Sequence, residues 1–99
     1  MIGKMLTVLA EIKAKPGKEN EVRAELLSLI VPSRNDAGCL KYDLHEAVGD
    51  AATFHFHENW ASKEDLDTHL QKPHVQRVLA KVRELLAEPP RVTLWERIS

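Results

Sequence analysis

The stretch Thr53–Trp60, TFHFHENW, runs directly into Ala61–Leu70, ASKEDLDTHL, and this junction decides the fold. Aromatic and polar residues alternate through the first segment, which is the period-two pattern of a β-strand. Ser62 followed three residues later by Asp65 is close to a capping box, so a helix is expected to begin there and to carry His69. The sequence therefore predicts a strand that ends where a helix begins.

The N-terminal side of this junction predicts a strand, a helix and a connection. Apolar residues of Met5–Ile12 occupy both parities, as in a strand buried on two faces. After a turn at Lys15–Gly17, apolar residues recur at helical spacing until Pro32, which is expected to end or kink the helix. These apolar residues are Val22, Leu26, Leu29 and Ile30. A connection at residues 35–38, Asn-Asp-Ala-Gly, follows.

The remaining segments complete the order of elements. Leu40–Leu44 alternates and is expected to form a hairpin with the central strand across Gly49-Asp50. Pro73 is suited to the first position of a further helix, which Glu88–Pro90 stops, and Arg91–Ile98 is predicted to be the last strand. The apolar stripe of that helix is Val75, Val78, Leu79, Val82, Leu85 and Leu86. The resulting β-α-β-β-α-β order predicts a ferredoxin-like α+β fold with a four-stranded antiparallel sheet and helices on one face.

Composition predicts one domain over residues 1–99 and excludes several kinds of partner. The chain is 43% hydrophobic, and its 14 basic and 15 acidic residues are interspersed, which gives no basic footprint for nucleic acid and no polybasic membrane anchor. No apolar run approaches the ~18 residues of a membrane span, no signal peptide is recognisable, and one cysteine cannot form an internal disulfide. We therefore expect a cytoplasmic protein with a small neutral or weakly charged ligand.

The sheet face without helices is expected to be an interaction surface. The first and last predicted strands carry large apolar residues on both parities, and an apolar surface of that size usually marks a contact site. The sequence therefore predicts a homodimer packed sheet to sheet.

The parity of the central strand selects the first candidate site residues. Phe54, Phe56, Glu58 and Trp60 share one face, which is the more apolar one and should face the helices. A carboxylate carried toward the core can act as a tuned acid or base, whereas a carboxylate at the sheet end would be solvated or salt-bridged. Tyr42 is expected on the same face from the neighbouring strand.

His69 lies nine residues after Trp60, on the helix that begins at the strand's end. An imidazole leaning over the same cavity could deprotonate a phenol at neutral pH, and the alternative is a surface histidine. His74, in the first turn of the next helix, is a weaker candidate. Trp60 could shape the cavity wall or simply fill the core.

A metal site on the opposite strand face is disfavoured. His55 and His57 share that face and His45 could lie across the hairpin, so three imidazoles could hold zinc or iron. The third ligand depends on the strand register, however, and no further carboxylate follows at a recognisable spacing. We expect no metal, and we interpret Cys39 as a small apolar residue rather than a nucleophile.

Three pieces of sequence together resemble the antibiotic biosynthesis monooxygenase family. They are Gly38–Leu44 (GCLKYDL), Phe54–Ser62 (FHFHENWAS), and His69 with Pro73-His74-Val75. The most specific element is Glu-x-Trp at a strand end followed by the helical histidine. The resemblance spans nearly the whole chain, and it implies a ferredoxin-like fold and a dimeric α+β barrel, in agreement with the order of elements above.

The resemblance also implies a chemistry. Monooxygenases of this family use oxygen without metal, flavin or haem: an apolar cavity binds a quinol- or anthrone-like aromatic, a base removes a phenolic proton, and the anion gives an electron to oxygen. Mapped onto this chain, it implies His69 or Glu58 as the base and no cofactor. Tyr42 and Trp60 also match family positions, and together with Phe56 and His74 they form the predicted substrate-binding set.

Three other functions stay open at this point. A haem-degrading enzyme fits less well. Its members carry an asparagine where this chain has about Ile12, and an axial histidine where this chain has apolar residues near Leu79. An isomerase of a small phosphorylated metabolite would need cations such as Arg34, Lys41 and Arg77. A non-catalytic dimer that binds a small metabolite is the third, since one fold hosts many functions.

Overall fold

The computed structural model describes residues 5–99, so the first four residues of the predicted domain lie outside the described part. The predicted order is confirmed: the second crossover consists of the two helices that were predicted, whereas the first consists of two helices rather than one. The elements are β1 (Leu6–Lys13), α1 (Glu19–Leu27), α2 (Ile30–Arg34), β2 (Cys39–Ala47), β3 (Asp50–Trp60), α3 (Lys63–Leu70), α4 (Pro73–Val82), a 3₁₀ turn (Arg83–Leu85) and β4 (Arg91–Glu96). None of the helices in residues 5–99 has the length and apolarity needed to cross a bilayer.

The sheet is antiparallel throughout, in the order β2-β3-β1-β4, which is the ferredoxin-like arrangement. β3 and β1 are therefore the central strands. Glu58 of β3 is directly opposite Val8 on one side and Tyr42 on the other. This row of three residues lies on the face that the helices cover.

The predicted parity of β3 is confirmed. Phe54, Phe56, Glu58 and Trp60 are buried, whereas His55 is exposed and His57 and Asn59 are partly exposed. The expectation that β1 is buried on both faces is wrong for the single chain. Val8, Ala10 and Ile12 are buried, but Thr7 and Leu9 are only partly covered and Glu11 is exposed, because the helices cover one face alone.

Pro32 divides the first crossover. A proline has no amide hydrogen to bond the carbonyl one turn earlier, which here belongs to Ser28. The helix accordingly ends at Leu27 and a second one begins at Ile30, so the predicted kink is found as a break about one turn before the proline.

The second crossover ends earlier than its apolar stripe suggests. The amide of Lys15 bonds the Leu85 carbonyl and the amide of Ala87 bonds the Lys13 carbonyl, both at 2.8 Å. These bonds draw the chain toward the end of β1, so α4 stops at Val82 rather than at Glu88. β4 likewise ends at Glu96 rather than at Ile98.

A close backbone approach fixes the start of β2 against α3. Gly38 has φ +78°, and a Cβ built on it would overlap the side chain of Asp65. The Gly38 carbonyl also accepts the Ala61 amide at 2.8 Å. Asp65 is itself held in the predicted cap, where its amide donates to Ser62 Oγ at 3.1 Å. The connection before β2 and the first turn of α3 are therefore locked together.

We expect Gly38→Ala to destabilise the fold by roughly 2–5 kcal/mol, because it combines a positive φ with overlap that extends to the Cβ of Asp65. Gly49→Ala is the matched control, since Gly49 has φ +81° and nothing within 4 Å of its built Cβ. Its cost should be roughly 1–2 kcal/mol. Urea unfolding of the two variants measures the difference, and equal losses would show that the close approach contributes nothing.

Candidate active site

A cavity of about 340 Å³ lies between the sheet and the helices. Its wall is mainly aliphatic, with Phe56 as an aromatic contribution. The polar side chains in the wall are Tyr42, Glu58, Lys63, Asp67 and His69. A volume near the lower end of the ~300–1,000 Å³ range of ligand pockets fits a small molecule that is apolar over most of its surface.

Glu58 is a buried carboxyl group, with 6% of its surface exposed. The Trp60 indole donates a hydrogen bond from Nε1 to Glu58 Oε1 at 2.9 Å. Burial raises the pKa of Glu58 to about 7, although the bond from Trp60 acts in the opposite direction by favouring the anion. The alternative of a solvated carboxylate at the sheet end is therefore wrong.

Tyr42 joins Glu58 on the cavity wall, as its predicted face requires. It is 3% exposed, and its ring lies 5.1 Å from that of Phe56 between centroids. Burial is the main reason why the pKa of the Tyr42 hydroxyl is raised, followed by the charge of Glu58, while a hydrogen bond with Ser33 acts in the opposite direction. Tyr42 is consequently a neutral hydroxyl that can donate or accept a hydrogen bond.

His69 lies in the last turn of α3 and is 2% exposed, so the surface alternative is wrong. Its ring centroid is 4.5 Å from that of Trp60 and 5.5 Å from that of Tyr42. Burial lowers the pKa of His69, and the nearby Asp36 carboxylate partly offsets that effect. The neutral imidazole is therefore the favoured form.

Asp36 belongs to this group although the sequence did not indicate it. Its Oδ2 lies 2.7 Å from His69 Nδ1 and 3.6 Å from His74 Nε2, and its side chain is 10% exposed. An aspartate in a short connection usually bonds its own backbone, so the pattern Asn-Asp-Ala-Gly predicts only a turn. The fold of the connection onto α3, set by Gly38, brings the carboxylate to the histidine.

Two predicted substrate-binding residues lie off the cavity wall. Trp60 is fully buried and is not among the lining residues. It contacts the two titratable groups instead, donating to Glu58 and packing on His69. His74 also lies outside the wall, with its Nε2 3.4 Å from Ser33 Oγ. Tyr42 and Phe56 do line the cavity.

Among the described residues, Asp36, His69 and His74 form a group whose potential metal-ligand atoms lie within 4.8 Å of one another. Two atoms bound to one tetrahedral zinc are ~3.3 Å apart, given metal–ligand bonds of about 2.0 Å. The 2.7 Å between Asp36 and His69 is instead a hydrogen-bond distance. On the other sheet face, His45 lies opposite His55, with ring centroids 6.4 Å apart.

A second concavity, of about 520 Å³, lies beside Pro89-Pro90 and the end of α4. Its charged side chains, Arg83 and Glu88, are both exposed. Binding sites usually combine an apolar wall with a few convergent polar groups, and none of the described residues that line this surface is a buried polar one. The smaller cavity under α3 is the candidate active site.

The sheet and its helices define an α+β protein of the ferredoxin-like class, with an apolar cavity and buried titratable groups between the two layers. The family model described as "Antibiotic biosynthesis monooxygenase" matches residues 5–81. The chain therefore belongs to the antibiotic biosynthesis monooxygenase family, as the motifs predicted.

Individual relatives agree with this assignment. The chain is 39% identical over 85 residues to "Putative monooxygenase YcnE" of Bacillus subtilis, covering 86% of this chain and 90% of that protein. It is 33% identical over 91 residues to the uncharacterized protein sll1783 of Synechocystis, covering 92% of this chain but 62% of that longer protein. The crystal structure of PA3566 from Pseudomonas aeruginosa superposes with a TM-score of 0.94 at 32% identity, covering 100% of this chain and 99% of that one.

We expect the stability of the wild type relative to Glu58→Gln to fall as pH rises. The pKa of Glu58 is about 7 in the folded state against 4.5 ordinarily, so its stabilising contribution is complete below about pH 4.5 and is lost as pH rises through about 7. The loss should be on the order of 3 kcal/mol. Glutamine can still accept the hydrogen bond from the Trp60 indole, so the two proteins differ mainly in whether this side chain can ionise.

Denaturant unfolding of both proteins at pH 5 and pH 8 measures this change. Glu88→Gln, at an exposed position, is the matched control and should show a change below about 0.5 kcal/mol. If the free energies of unfolding of wild type and Glu58→Gln differed by the same amount at pH 5 and pH 8, the pKa of Glu58 would not be raised.

Proposed function

We propose that this protein is a small cofactor-independent monooxygenase that oxidises quinol- or anthrone-like aromatics with molecular oxygen. The observation that carries the proposal is the apolar cavity whose wall holds both a buried imidazole, His69, and a buried carboxyl group, Glu58. Membership of the family and the name of the Bacillus subtilis relative support the same reaction class.

Burial pushes the two groups toward opposite roles. It favours the neutral form of each, and the neutral form is a base for His69 but an acid for Glu58. A pair of groups with environments of this kind assigns acid and base. In the proposed reaction His69 removes the phenolic proton, and Glu58, whose pKa is raised to about 7, donates a proton at a later step.

The oxygen chemistry balances without a further reductant. The phenolate anion transfers one electron to O₂, and the substrate radical and superoxide combine through a new carbon–oxygen bond to give a peroxide. Glu58 protonates this peroxide to a hydroperoxide. The hydrogen on the same ring carbon is then lost as a proton while the oxygen–oxygen bond breaks, which leaves a carbonyl on that carbon, and the hydroxide released takes up a proton to become water. One oxygen atom enters the product and the other becomes water, so the substrate supplies all the electrons.

The alternative of a phosphorylated substrate finds less support. Among the described residues that line the cavity, Lys63 is the one lysine or arginine. Its Nζ already donates to Asp67 Oδ1 at 2.9 Å. Arg34, which could have helped to hold a phosphate, bonds Asp43 Oδ1 at 3.0 Å instead. An apolar wall without a free cation suits an aromatic better than a dianion.

The proposed assembly is a homodimer through the open sheet face. The register of β4 on β1 places Thr93 and Trp95 on this face beside Thr7 and Leu9. Trp95 lies on the edge strand of this face and is 54% exposed, and tryptophan is enriched among the residues that anchor protein interfaces.

Oxygen uptake with a panel of quinols and anthrones tests the proposed reaction. Turnover should stop without oxygen, and labelled O₂ should place one atom in the product and one in water. His69→Gln and Glu58→Gln should each lower kcat by about 10²–10⁴-fold while the fold is retained. His45→Gln, at an exposed position on the other face, is the matched control. Failure of every compound to react above its uncatalysed rate would contradict the proposal, and turnover that continues without oxygen would favour an isomerase.

Light scattering at micromolar concentration tests the proposed dimer, which should have twice the 11.2 kDa mass of one chain. Trp95→Arg should convert it to a monomer, because a charge would be buried at the interface. Val48→Arg, in the exposed β2–β3 turn, adds the same charge and should leave the dimer intact. A monomeric wild type would contradict the assembly without bearing on the reaction.

A further inference from the structure

The Asp36 carboxylate is built into the fold next to the proposed base. Its oxygen Oδ2 is 2.7 Å from His69 Nδ1, and the two side chains are 10% and 2% exposed. The backbone of Asp36 is tied on both sides, since its amide bonds the Ser33 carbonyl at 3.0 Å and its own carbonyl accepts the Cys39 amide at 3.1 Å. The carboxylate therefore reaches the histidine from a fixed position.

The chemistry of this contact determines where the imidazole carries its proton. An ionised carboxylate can only accept hydrogen bonds, so the contact with Nδ1 requires a hydrogen on that nitrogen. A neutral imidazole carries one ring hydrogen, and Nε2 is then left with a free lone pair. We propose that Asp36 is a positioning residue that holds His69 in the Nδ1–H form, so that Nε2 is the atom that takes the substrate proton. This inference rests on the proposed function for the role of His69.

The surroundings of His69 favour Asp36 as the controlling partner. The rings of Trp60 and Tyr42 both pack against the His69 ring and limit its rotation. The position of the Asp36 carboxylate then determines which ring nitrogen carries the hydrogen. His74 approaches the same oxygen more distantly, at 3.6 Å, and is more exposed, at 17%. Asp36 would also stabilise the imidazolium once His69 has taken the proton, as carboxylates do in hydrogen-bonded acid–imidazole pairs.

Nitrogen NMR of the histidine ring nitrogens, at a pH where His69 is neutral, tests the inference without any substrate. In the wild type, Nδ1 of His69 should carry the hydrogen. In Asp36→Asn the amide group can donate to Nδ1, so the hydrogen should move to Nε2 and the tautomer ratio should invert. Asp43→Asn is the matched control, because it removes a carboxylate on β2 that pairs with Arg34 rather than with His69. It should leave the His69 signals unchanged.

Kinetics supply the second readout. Asp36→Asn should lower kcat by about 10²–10⁴-fold with KM nearly unchanged, because the lone pair at Nε2 is lost while the cavity wall is intact. Asp36→Glu, which keeps a carboxylate, should restore the wild-type tautomer and part of kcat.

The outcomes separate the two proposals. A hydrogen on Nε2 in the wild-type protein overturns the inference even if no variant folds, and so does an unchanged tautomer in a folded Asp36→Asn protein. Inversion of the tautomer supports control by Asp36. If inversion occurs in a protein that oxidises none of the aromatics, the proposed function fails while the control of His69 by Asp36 stands.

Discussion

The hydrogen bond from the Trp60 indole to the Glu58 carboxyl group is the interaction on which the candidate site depends. The two residues are two positions apart on β3, so strand geometry alone puts donor and acceptor on one face. A buried carboxyl group without a partner would be strongly destabilising. With one oxygen satisfied by the indole, the carboxyl group can remain in a cavity that is otherwise lined mainly by apolar side chains.

The same indole links the sheet to the helical layer. Its ring packs on His69, so the acid on the strand and the imidazole on α3 share one rigid neighbour. Asp36 contacts that imidazole from the opposite crossover, and the close approach of Gly38 to Asp65 holds its connection in place. Three separate parts of the chain thus converge through contacts that leave little freedom to any of them.

Much of this arrangement could be predicted from the sequence because it depends on local periodicity. Alternation in Thr53–Trp60 identified the buried face with Glu58, and the Ser62 cap located the helix that carries His69. Asp36 could not be found in this way, since its role depends on how a four-residue connection folds onto a distant helix. Trp60 was predicted to line the cavity, but parity says which face a side chain occupies and not how deep it lies, and the large indole fills the layer behind the wall.

The breadth of substrates that a protein of this design can come to use depends on its edge strand. Val92 and Leu94 line the cavity from β4, yet they are 57% and 48% exposed in the chain. A change of size at a half-exposed position removes little packing, whereas the same change beside Trp60 would open a void in the core. Selection can therefore remodel the rim of the cavity at small cost in stability while the acid and the imidazole stay fixed. In the proposed monooxygenase, the part of the fold that chooses the molecule is thus separate from the part that transforms it.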